Sequence, residues 1–282
     1  MKLNVVYESP HHDWSVLHVF EGYVKLLEER GHELYIEHTN SIGNRDPNKY
    51  NSPHVLFIKN LETSKYVLIS YWDNAESFFY EPHGWDIENC MGVFTSSGVK
   101  NSLDVIPISY LSYNKKMDFY HLNSIPISSK KNNNLHFRGY LYGKRKLLSK
   151  KNKITITNEI ISFEDYINEL TNNKVCISFN GAAEVCNRDI EILGSRSVLF
   201  REKLNQKFHN PLIDGVHYIS YDHDPDPDIQ IDIIIQKFNE ISQNEDLLNF
   251  ISENGYKWFL ENGTVESNIK IIDNVLDLNI LK

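Results

Sequence analysis

Cysteine is scarce: Cys90, Cys176 and Cys186 are the only three in 282 residues. Their number is odd and no two form a C-x-x-C pair. Neither a disulfide framework nor a cysteine-built zinc site is expected. Long apolar runs are absent as well. No stretch reaches the ~20 apolar residues that cross a bilayer. Met1 to Tyr7 has strand length but lacks the apolar core and cleavage site of a signal peptide. A soluble chain in the reducing cytoplasm is the expectation. A basic excess is also missing. Lys and Arg number 29 against 38 Asp and Glu, a net charge of −9, which argues against a general nucleic-acid binder. There is no G-x-G-x-x-G, no P-loop and no G-x-S-x-G elbow, which disfavours dehydrogenase, P-loop and α/β-hydrolase chemistry.

What is present suits a folded α/β protein. Hydrophobic residues make up 41% and charged residues 24%, enough for a core in a chain long enough for two domains. Leu3 to Tyr7 reads as a strand. Leu17, Phe20, Val24 and Leu27 recur at helical spacing from Trp14 to Arg30, Gly31 stops that helix, and Glu33 to Glu37 alternates like a strand. This βαβ start predicts a parallel sheet. Short apolar runs at 55–58, 66–71, 92–95 and 105–108 continue it. The polar stretch Ser128 to Asn134 (SSKKNNN) reads as a linker. A second βα pattern follows, with strands at 135–138, 154–157, 175–179, 197–200 and 217–220. Helices are expected at 144–150, 163–170, 187–193, 228–241, 245–261 and 265–278. The expected organisation is therefore an N-terminal α/β domain over 1–127, a linker over 128–134 and a C-terminal α/β domain over 135–282. Two such Rossmann-like sheets make a cleft, and ligands bind beyond the carboxyl ends of their strands.

Chemistry concentrates between Lys174 and Tyr221. A buried strand there runs into Phe179-Asn180-Gly181, and a short helix starts near Asn187, read as its N-cap, with Arg188 in the first turn. A helix N-terminus plus an arginine is an anion site, because backbone N–H groups and a two-pronged guanidinium both suit phosphate. Glu191, one turn on, suits ribose hydroxyls. The competing reading pairs Arg188 with Glu191 at the surface.

The same segment resembles the donor-binding half of GT-B glycosyltransferases. It is most similar to the CAP10-like (Rumi-type) family, and more loosely to exostosin-like and spore-maturation enzymes. The likeness runs through Asn187-Arg188-Asp189, Ser197-Val198-Leu199-Phe200, Pro211 to Ile219 (PLIDGVHYI) and Asn254 to Phe259 (NGYKWF). Phe137-Arg138-Gly139 followed by Lys144 and Arg145 extends it to about half of the chain. The usual W-S-x-R run is replaced by Glu184 to Arg188. The resemblance implies transfer of a sugar, xylose or glucose, from a uridine diphosphate donor to an acceptor glycan, without a bound metal. Arg188 and Arg145 are then the candidates for the diphosphate, with Lys144 and Arg138 beside them. Glu191 is the candidate for the ribose, and Phe179, Asn180 and Gly181 for the pocket wall. His217 and Tyr218 either flank the base or pack at a strand end.

No metal site is expected. Asp222 to Asp228 (DHDPDPD) lacks the Gly and terminal Glu of an EF-hand loop and reads as a solvated acidic loop. No D-x-D stands between apolar strands, the mark of the metal-dependent GT-A class. An inverting transfer also needs a base for the acceptor hydroxyl. The loop after the first strand offers Asp13, with His12 beside it, although Asp13 also suits the N-cap of the helix at Trp14. Asp73 is the second candidate base. Tyr71, Trp72 and His11 are candidates for the acceptor sugar, whose faces stack on aromatic rings. The rival functional reading is a non-catalytic nucleotide-sugar or glycan-binding module of the same fold.

Overall fold

The computed structural model describes residues 1–8, 14–39, 55–70, 89–95, 125–130, 132–139, 145–146, 154–179, 185–205 and 210–278. Two five-stranded sheets organise them. The first contains β1 (Lys2–Glu8), β2 (Glu33–Thr39), β3 (Val55–Asn60), β4 (Tyr66–Ser70) and β5 (Cys90–Thr95), in the order β2-β1-β3-β4-β5. Helix α1 (Trp14–Glu29) links β1 to β2. The expectation of a parallel, Rossmann-like sheet needs correcting here. β1 and β2 are parallel, as are β4 and β5, but β3 runs antiparallel to both neighbours. The cause lies in the connection. Only Leu61 to Lys65 separates β3 from β4, and Asn60 N–H donates to Lys65 O across the turn (2.9 Å). Five residues close a hairpin but cannot make the crossover a parallel pair requires.

The second sheet contains β6 (Asn132–Arg138), β7 (Ile154–Thr157), β8 (Asn173–Ile177), β9 (Val198–Glu202) and β10 (Ile219–Tyr221). Its order is β10-β9-β8-β6-β7 and every pair is parallel. Helices α2 (Phe163–Asn172), α3 (Asn187–Gly194), α4 (Pro227–Ile241) and α5 (Glu245–Asn262) pack around it. One face buries Leu135, Phe137, Val175, Ile177 and Phe200 with Ile231, Ile234 and Phe238 of α4. The other buries Cys176 and Leu199 with Ile190 and Leu193 of α3 and Trp258 and Phe259 of α5. Cover on both faces explains why β8 and β9 read as continuous apolar runs.

Two segments lie elsewhere than the linear reading places them. Residues 128–130 and 132–134 of the expected linker are built into the second unit. Asn132 to Asn134 open β6, and Lys130 is buried, its ammonium donating to Thr171 O (2.6 Å) and Ser195 O (3.1 Å). Those carbonyls belong to the C-terminal ends of α2 and α3, where a cation is favoured. The last helix, α6 (Val265–Val275), packs with the first sheet. Ile269, Ile272 and Leu276 share a core with Leu3, Val5, Tyr23 and Leu27. Asn268 Nδ2 donates to Tyr23 Oη (2.8 Å), Asn60 Nδ2 donates to Leu276 O (3.0 Å), and Arg30 pairs with Asp273. The expected run at 105–108 lies outside the described residues. Among the described residues no helix is long and apolar enough to cross a membrane.

Candidate functional site

Counted within its own unit, the second sheet has the strand order 2-1-3-4-5. Chain direction of travel reverses between β6 and β8, the two strands at its centre. In such a sheet the crevice at the carboxyl ends of those two strands is the place for a ligand. β6 ends there in Phe137-Arg138, followed by Gly139, and β8 leads there through Ser178 to Phe179. The two rings meet edge to face, their centroids 5.2 Å apart.

Two arginines lie on this aromatic pair. The Arg188 guanidinium carbon is 4.3 Å from the centre of the Phe137 ring. That of Arg145 is 5.1 Å from Phe137 and 5.6 Å from Phe179. Cation–π contacts of this kind are worth ~0.5–2 kcal/mol each. Arg188 Nη2 donates to Arg138 O (2.6 Å), which fixes the side chain over the end of β6. Its buried Nε has no hydrogen-bond partner among the described residues. Burial opposes the Arg188 charge, the neighbouring Glu191 carboxylate favours it, and the group stays protonated.

Gly139 makes room for this arrangement. Its φ is +153°, and a Cβ there would come within 2.7 Å of Arg188 Nη2 and 3.2 Å of the Phe137 ring. Helix α3 supplies the other side. The residue that caps it is Cys186, not Asn187 as the sequence suggests. The Asp189 carboxylate, three positions on, accepts from Cys186 N–H (2.9 Å) and so pulls the cap one residue back. The same carboxylate pairs with Arg201 of β9, and both residues are buried. This pair locks the start of α3 to the carboxyl end of the sheet. Burial pushes the Cys186 thiol up to about 11 and the Cys176 thiol up to about 12, so both are neutral thiols rather than nucleophiles.

The structure thus brings Arg188, Arg145 and Phe179 together. Glu191 lies one turn along α3 from Arg188 and accepts from Tyr166 Oη of α2 (2.7 Å). Arg138 contributes its carbonyl, while its guanidinium is held by Glu169 (2.6 and 2.5 Å) and by Glu159 O (2.6 Å). His217 and Tyr218 are not brought to the cluster. They precede β10, at the amino end of a parallel sheet, and so at the opposite edge. His217 Nδ1 accepts from Ile213 N–H (2.9 Å), and buried Tyr218 accepts from Leu204 N–H through its hydroxyl (3.1 Å). Of their two readings, packing at a strand end is the one these contacts describe. Lys144, Asn180, Gly181, His11, His12, Asp13, Tyr71, Trp72 and Asp73 lie outside the described residues.

The acidic loop 222–228 serves the fold. Asp226 caps α4, accepting from Asp228 N–H (2.8 Å), and Asp224 accepts from Asp226 N–H (2.8 Å). Linear reading missed three participants: Phe137 as the platform, Tyr166 as the partner of Glu191, and the Asp189–Arg201 pair. Only the Phe137-Arg138-Gly139 run carries a local signal, since a glycine directly after a strand end marks a close approach.

No family model and no curated protein matches the chain. Among solved structures, a glycosyltransferase from Rickettsia africae ESF-5 is similar to it at 11% identity and a TM-score of 0.46, over 94% of this chain and 83% of that one.

Proposed function

We propose that the chain is a two-lobed, GT-B-type glycosyltransferase that moves a sugar from a uridine diphosphate donor to a glycan hydroxyl. The supporting observation is the pair of guanidinium groups of Arg188 and Arg145, stacked on Phe137 at the central crevice of an all-parallel sheet. When the glycosidic bond to the donor breaks, charge builds on the departing diphosphate. Fixed cations in a partly dehydrated site offset that charge without reorganising, which is the largest single source of rate in many enzymes. In this reading the arginines take the role a metal has in other transferases, and Glu191 accepts from the ribose hydroxyls. Asp13 removes the proton of the attacking hydroxyl, with Asp73 or His12 as the other candidates, and the product is inverted. Tyr71, Trp72 and His11 hold the acceptor. Xylose or glucose is the donor sugar the sequence resemblance favours.

The test is a titration of uridine diphosphate, uridine diphosphate xylose and uridine diphosphate glucose against the wild type and Arg188→Ala, followed by thermal unfolding. Binding raises the midpoint of the wild type and not of the variant. Release of free nucleotide from one donor sugar, unchanged by a chelator, identifies the substrate. Equal shifts from unrelated anions such as sulfate refute the reading. Nucleotide-sugar binding with no turnover on any acceptor leaves a binding module instead.

A further inference from the structure

A groove of about 720 Å³ runs beside the arginine site, on the α2 side of β6. One wall is strand β6, which sends alternate residues into it: Asn132, Asn134, His136 and Arg138. The other wall is one stripe of α2, including Asp165, Asn168 and Asn172. The volume is that of a small-molecule site, which usually spans ~300–1,000 Å³. Its chemistry is not that of an ordinary apolar pocket, because among the described residues Ile161 is the one aliphatic residue along it.

The lining selects against most ligand classes. Among the described residues an anion meets no available cation, since Arg138 is already gripped by Glu169 and by Glu159 O. The groove has three carboxylates among the described residues, and two are engaged: Glu169 holds Arg138 and Asp165 accepts from Ser162 Oγ (2.7 Å), which leaves a metal ion the single carboxylate of Glu159. A peptide finds no apolar pockets for alternate side chains. What the groove offers is side-chain amides on both walls, those of Asn132 and Asn134 on β6 and of Asn168 on α2, each carrying a donor and an acceptor, while the Asn172 amide already donates to Asn168 O (2.8 Å). Adjacent hydroxyls of a sugar present the same pairing of donor and acceptor. His136 lies at the base. It is 3% exposed, and its Nε2 has no hydrogen-bond partner among the described residues and lies 3.5 Å from Glu169 Oε2. Burial keeps this imidazole neutral.

We infer that this groove binds a short neutral oligosaccharide, at a site separate from the arginine cluster. The inference stands on the groove alone and does not depend on glycosyl transfer.

The experiment uses the full chain labelled at histidine nitrogen, with the His136 resonance assigned by His136→Gln. Neutral di- to tetrasaccharides of glucose, xylose, mannose and N-acetylglucosamine are titrated in turn. The expected result is a saturable shift of the His136 signals by at least one of them. Asn134→Ala with Asn168→Ala should weaken that binding by about tenfold or more, while uridine diphosphate affinity stays within about twofold. Arg188→Ala should leave the saccharide response intact, so failure of the nucleotide reading and failure of this one are told apart. Any of three results overturns it: no saccharide moves His136, the amide double variant binds as the wild type does, or a polar peptide shifts His136 where saccharides do not.

Discussion

The two sheets share one strand order and differ in the direction of a single strand. Counted within each unit, both run 2-1-3-4-5. In the second sheet the central pair, β6 and β8, end at the same edge, and a crevice opens between their outgoing chains. In the first sheet the corresponding pair is β1 and β3, and β3 is reversed. Its carboxyl end lies at the opposite edge, closed by the hairpin to β4. Strand order alone therefore does not bring two neighbouring strands to one end of a sheet, and direction has to agree.

The largest expected effect tests what holds that crevice together. Asp189→Ala strands the buried Arg201 charge, and urea unfolding should show a loss of about 3–5 kcal/mol. A loss near zero would mean that the pair does not anchor α3. A second effect separates the interior of the sheet from its edge. Burial outweighs the nearby Glu169 carboxylate and pushes His136 down to about 4. Its unfolded value is near 6.5, so the unfolded state binds the proton more readily between these limits. The stability from neutral His136 is complete above about pH 6.5 and is lost as pH falls toward 4. At 1.36 kcal/mol per pH unit this reaches about 3 kcal/mol. His136→Gln should flatten that acid limb in denaturant titrations across the window; an unchanged slope refutes it.

Arg188→Ala should weaken nucleotide-sugar affinity or turnover by about 100-fold, or about 2.7 kcal/mol. Arg188→Lys should recover only part, since an ammonium cannot stack on Phe137 and reach two oxygens at once. Gly139→Ala places a methyl 2.7 Å from Arg188 Nη2 and should cost about tenfold in the same assay by displacing the guanidinium. The smallest effect sharpens the contrast between the edges of the second sheet. His217→Ala, at the amino edge, should leave nucleotide affinity within about twofold. A large loss there would relocate the site.

Much of the architecture was legible because short-range chemistry dictates it. β7, α3 and α4 fall within a few residues of their expected spans, since alternation, helical spacing and caps are local properties. The reversal of β3 was written in the five-residue gap after Asn60, although apolar runs alone did not show it. Lys130 looked like linker because a polar side chain carries no sign of the two helix ends that receive it. Arg188 was readable from its place at a helix start. Phe137 and Tyr166 were not, because an aromatic residue in a strand or on a helix reads as core until its neighbours are known.

By itself the sequence determined the elements, their alternation and the presence of an arginine at the head of α3, because these depend on neighbours within a few positions. Tertiary structure decided that Arg145 and Arg188 share one ring, that α6 returns to the first sheet and that Asp189 meets Arg201. Each of those joins residues far apart along the chain, through packing and desolvation that no local pattern encodes.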